Sequence, residues 1–212
     1  MRPDQRRIAD ALQVWFGDVP VLLEWVALRG DASVYSPHVD IAVGPFAVEE
    51  MRLEGRYDEL VEEHLGLLAV LHAFGEENVR SLVANDVVAD LNAACMSNRN
   101  ARCFIAIEME GSGSRKHTLG GILNAAALGR IGVSVACSAE ELRKLLRLRR
   151  YLRFLMNVEK NTYDTANLIV VTREQLASAI GVDLEGIAAA RPEGLSKKRS
   201  RGADLGGTLH EE

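Results

Sequence analysis

Three observations predict an α/β fold for this chain. Helical apolar spacing and short β-rich runs alternate along it. Gly, Pro and Asp punctuate the junctions. The resulting order is helix, three strands, helix, strand, helix, strand, helix, with an insertion after the second strand. Such an order buries a sheet between helices, an α/β sandwich. The 212 residues suffice for one domain with a substantial core.

Residues 3–17 read as a helix, because Ile8, Leu12 and Trp15 recur at helical spacing and Gly17 stops it. Val19 to Leu28 is rich in β-formers and ends at the turn signal Arg29-Gly30-Asp31. Val39 to Val43 is a short strand between Ser36-Pro37 and Gly44-Pro45. Between about 55 and 97 two helical patterns, Tyr57–Phe74 and Asn78–Met96, flank Gly75-Glu76-Glu77 and predict a helical-hairpin insertion. Cys103 to Met109 is then a strand, Lys116 to Leu128 a helix, and Gly132 to Cys137 a strand. Ser138 caps a helix reaching about Val158, with Glu140 and Glu141 favourably placed in its first turn. Asn167 to Val171 is the last strand, followed by a helix over 173–180. Residues 1–190 therefore form a single domain. Residues 191–212, with Ser-Lys-Lys-Arg-Ser-Arg at 196–201, are expected to be a basic, disordered tail.

Composition narrows the setting. A net charge of −5 gives no global sign of polyanion binding, so any nucleic-acid surface must come from local clustering of basic residues. No apolar stretch approaches a membrane span, and the first residues lead into no signal core. Cys95, Cys103 and Cys137 form no metal pattern. An odd number of cysteines points to reduced thiols and a cytoplasmic protein.

The most informative stretch is FIAIEMEGSGSRKHTLGG, Phe104 to Gly121. A strand, a Gly-rich turn and a helix opening with Lys form the setting of a phosphate-binding loop, but the pattern fails at its specific positions. Arg115 stands where the glycine before the lysine belongs, and His117 replaces the Ser or Thr. A metal site is the better reading. On a strand Ala106, Glu108 and Glu110 share one face and Ile105, Ile107 and Met109 the other, so two carboxylates project together. Asp40, alternating with Val39, Ile41 and Val43, is the natural third acid. A carboxylate facing a sheet layer is costly unless ligated or hydrogen-bonded. Mg²⁺ or Mn²⁺ would suit such oxygen donors. Taken alone, Glu108 and Glu110 would equally suit a strand ending in solvent.

At these residues the chain resembles the PD-(D/E)xK nuclease superfamily, whose restriction-endonuclease-like fold is a three-layer core around a mixed central sheet. The family places an Asp on the second core strand and a D/E-x-K on the third, often with an earlier acid. The resemblance implies a metal-dependent endonuclease acting on DNA, with Asp40, Glu108 and Glu110 at the metal and Glu24 as the earlier acid. Two departures stand out: Pro37 lies three residues before Asp40, and Glu110 fills the lysine position. Lys116 is the expected replacement, since Lys116, Gly120 and Asn124 share a helical face. The alternative is an inactive member of the same fold serving as a DNA-binding or protein-interaction module.

The remaining features bear on partners. Arg143, Lys144, Arg147, Arg149, Arg150 and Arg153 give helix 139–158 a basic face, against a buried stripe of Leu145, Leu148, Leu152 and Leu155. Arg143, Arg147 and Arg150, with Arg115 and His117, are the expected nucleic-acid contacts, made to phosphate rather than base. A helix-turn-helix reading of Gln175–Asp183 is discounted, because the following Leu184–Ala190 offers few side chains for base edges. His64 and His72 read as surface or interface residues. The apolar sides of the insertion helices, including Leu60, Leu67, Leu68, Leu71, Leu82, Val83, Val87 and Leu91, either pack on the core or pair subunits as a homodimer.

Overall fold

The computed structural model describes residues 3–27, 36–47, 51–83, 86–111, 114–160 and 164–183. Strands β1 (Val21–Val26), β2 (His38–Val43), β3 (Cys103–Glu110), β4 (Gly129–Ala136) and β5 (Leu168–Thr172) form one sheet in that spatial order. Neighbours among the first three strands run antiparallel, whereas β3, β4 and β5 are mutually parallel. The two parallel connections carry helices α5 (Arg115–Leu128) and α6 (Ala139–Asn157), as parallel neighbours require a crossover. The architecture is a mixed α/β three-layer core.

Strand alternation sets the layers. Ile105, Ile107, Ile131, Val133, Val135 and Val171 pack with Ile8 and Leu12 of α1 (Pro3–Phe16) and Leu176 of α7 (Arg173–Ile180). On the other face Ala42, Ala106, Ala136 and Val170 meet Ile122, Ala125, Leu145 and Leu146 of α5 and α6. Capping follows the sequence. The Ser138 side chain accepts from the Glu141 amide, and Thr172 with Gln175 closes a capping box at α7.

The insertion between β2 and β3 differs from the expected hairpin. It holds three helices: α2 (Glu54–Glu63), α3 (Leu65–Leu82) and α4 (Leu91–Ser97). The break falls at His64, whose ring meets Phe16 edge-on at 4.4 Å, and α3 runs straight through Gly75. A Cβ at Gly75 would lie 2.9 Å from Ile169 Cγ2. This glycine therefore lets α3 approach β5; it does not mark a turn. Leu60, Leu67, Leu68 and Leu71 are buried in the chain's own core, whereas Leu82 and Val87 of the same insertion are exposed. Arg130 of β4, fully buried, pairs with Asp58 of α2 and donates to the Asn98 carbonyl just after α4, tying the insertion to the sheet.

Two thiols are buried, and burial pushes the Cys95 thiol up to about 11 and that of Cys103 higher still. No described helix is long and apolar enough to cross a membrane. The turn residues Ser112-Gly113, the segment Leu184–Ala190 and the tail lie outside the described residues.

Candidate active site

The acids gather where three strands run side by side. The β2–β3 register pairs Ile41 with Ile107, so Asp40 stands opposite Glu108 one step further along. Asp40 Oδ2 accepts a hydrogen bond from the Met109 amide at 2.7 Å, replacing a backbone acceptor where the ladder ends. Glu24 lies between the pairs Leu23–Ile41 and Trp25–Val39, opposite Asp40 on the other side. Its φ of +47° is left-handed, unusual for a non-glycine residue inside a strand. That kink reverses the alternation. Leu23 packs against the α1 side, while Trp25 packs against the α5 side and stacks on Phe46 at 5.0 Å.

Glu108 and Glu110 lie beneath α5, whose Gly121 makes the approach feasible. A Cβ there would sit 2.7 Å from Glu110 Oε1 and 3.5 Å from Glu108 Oε2. Gly120, by contrast, faces open space. Burial, then the charges of Asp40, Glu110 and Glu24, push the Glu108 carboxyl up to about 9. Glu110 is 4% exposed and also raised by burial. A hydrogen bond from Thr118 Oγ1 (3.2 Å), with the charges of His117 and Lys144, opposes that rise. Ser134 of β4 pairs in register with Glu108. It is fully buried, and its Oγ has no hydrogen-bond partner, so a polar atom beside the acids is left unsatisfied.

The cations are arranged differently from the sequence expectation. Lys116 is exposed in the first turn of α5, and the positive groups whose charge reaches Glu110 are His117 and Lys144. Lys144 is also paired with Glu141 at 2.8 Å. Arg115, Arg143, Lys144 and Arg147, with Glu140 and Leu148, line a groove of about 520 Å³ between the start of α5 and α6. The rest of the expected basic face is divided. Arg149 and Arg153 grip Asp86 at 2.8 and 2.7 Å, with Arg149 and Asp86 almost wholly buried. These two arginines clamp the insertion onto α6. Arg150 is exposed but does not line the groove, and Leu142 and Leu146 are buried where Leu148 and Leu155 were expected. Asn124 donates to the His38 carbonyl at 3.3 Å, fastening α5 to β2. His72 hydrogen-bonds the Ala89 carbonyl at 2.7 Å.

The donors suit a hard divalent cation in kind: carboxylate oxygens with excess negative charge and an orphaned hydroxyl. As placed, Glu24, Asp40 and Glu110 are each turned to a local partner, and among the described residues no three His, Cys, Asp or Glu groups converge on one metal position. Sequence reasoning missed Gln5 and Ser134, and it placed Lys144 only on the basic face of helix 139–158. Gln5 donates to Glu24 Oε1 at 2.8 Å and to the Asp40 carbonyl at 3.1 Å. No local motif marks these residues; only strand register and helix docking bring them to the acids. Compared with known proteins, the chain matches no family model, no curated protein and no solved structure.

Proposed function

We propose that the protein is a divalent-metal-dependent endonuclease acting on DNA phosphodiesters, related to the PD-(D/E)xK superfamily it resembles. The observation carrying this reading is the apposition of Asp40 on the second strand with Glu108 on the third, in a site with surplus negative charge. The family places its acids on the same two strands. Mg²⁺ or Mn²⁺ would be held by Asp40 and Glu108, with Glu110 and Glu24 as additional acids. Such a cation polarises a phosphoryl oxygen and lowers the pKa of bound water.

The chain's own groups take the remaining roles. Glu110, fixed by Thr118, orients the attacking water from beneath α5. His117 and Lys144 take the charge-stabilising place that the sequence gives to Lys116, because their charge reaches Glu110. The groove lined by Arg115, Arg143, Lys144 and Arg147 holds backbone phosphates beside the site, offsetting the repulsion between the acids and DNA.

Cleavage of plasmid DNA in Mg²⁺ or Mn²⁺ by the wild type beside Glu108→Ala tests the reading. Cleavage lost in the variant supports it, and equal activity in both points to another source. DNA binding without cleavage by the wild type moves the protein to the non-catalytic module of the same fold.

A further inference from the structure

We infer that Gln5 is a positioning residue for the acidic site: from α1 it fixes the Glu24 carboxylate and the backbone of Asp40 against one another. The inference rests on the metal-site reading above. Gln5 is 3% exposed, unusual for a glutamine at the start of a surface helix, and its Nε2 reaches across to two strands. A buried amide is retained where its hydrogen bonds serve, since an unsatisfied one is costly. Here both known acceptors belong to residues flanking the site.

Glu24 needs such a partner. Its left-handed backbone is a conformation that a non-glycine residue holds only when its surroundings enforce it. Its side chain is otherwise exposed, and its charge is among those raising Glu108. Left free, a glutamate in that position would swing into solvent, away from two like-charged neighbours. The Gln5 amide holds it 2.8 Å away, as an acceptor with its second oxygen available. The fully buried Ser134 Oγ, in register with Glu108 and without a protein partner, adds a polar atom beside the same acids. The start of α1 is itself anchored, because Asp4 pairs with Arg173 of α7 at 2.8 Å. A rigid helix thus sets the geometry of the strand-borne acids, as outer-shell groups do for metal ligands.

The test is calorimetric titration of the full chain with Mn²⁺ alone, accompanied by thermal melting. Gln5→Met keeps the volume and removes the donor. It is expected to melt cooperatively and to bind Mn²⁺ about tenfold more weakly. Glu24→Gln should lose a similar factor, and the double variant little more than either alone, because Gln5 acts through Glu24. Wild-type affinity in Gln5→Met, or losses that multiply in the double variant, overturns the inference and leaves the metal site standing. If Gln5→Met does not fold, Glu24→Gly removes the same carboxylate at a backbone angle glycine accepts. Its affinity should fall by the same factor, and an unchanged value again overturns the inference. A wild type that takes up no Mn²⁺ overturns the inference together with the metal-site reading.

Discussion

Gly121 of α5 lies so close to Glu110 of β3 that a Cβ on the glycine would stand 2.7 Å from the Glu110 carboxylate. The helix and the acid share one space, and the missing side chain is what makes room for the charge. The adjacent Gly120 has nothing within 4 Å of its own hypothetical Cβ. Gly121→Ala should therefore destabilise the fold by about 1–3 kcal/mol through overpacking. Gly120→Ala should be neutral or stabilising by up to about 1 kcal/mol through helix propensity. Urea melts of the two variants check the contrast, and equal effects would place α5 differently over the acids.

The raised Glu108 carboxyl makes stability depend on pH. With its folded value at about 9, the native chain keeps a proton that the unfolded chain releases in the ordinary carboxylate range. The stabilisation from that proton is complete below the unfolded pKa and is lost as pH rises towards 9. Glu108→Gln carries no such proton. The wild type should therefore lose stability relative to the variant between about pH 5 and pH 8, by on the order of 4 kcal/mol. Denaturant melts across that range, without divalent cations, measure the difference. A constant gap would show that Glu108 ionises normally in the folded chain.

The arginines of α6 should divide into two classes. Arg143 and Arg147, with Arg115, are exposed around the groove, so replacing all three by Ala should leave the melting temperature nearly unchanged. It should weaken DNA binding for every sequence and flatten the slope of log affinity against log salt by about one per lost phosphate contact. Asp86→Ala should act in the opposite manner. It strands Arg149 without its buried partner and should cost about 3–5 kcal/mol of stability. An unchanged salt slope in the triple variant would assign the groove to another partner.

The chain's local text determined the order of elements outside the insertion, the cap at Ser138, and the face shared by Glu108 and Glu110. These depend on period-two alternation and on side chains within three residues of the groups they satisfy. That Asp40 interrupts an alternating apolar strand was legible for the same reason, whereas its place opposite Glu108 was set by strand register. The tertiary structure decided what depends on distant partners. Gly75 reads as a break in sequence, yet it lies within a helix because Ile169, far along the chain, comes against it. Arg149 and Arg153 read like Arg143 and Arg147, yet Asp86 across the insertion pairs with the first two, burying Arg149, and leaves the others exposed around the groove. Gln5 carries no motif at all and meets the acids only because α1 docks against β1 and β2. Periodicity fixes which way a side chain points, whereas the partner it meets is set by packing of segments that local sequence does not connect.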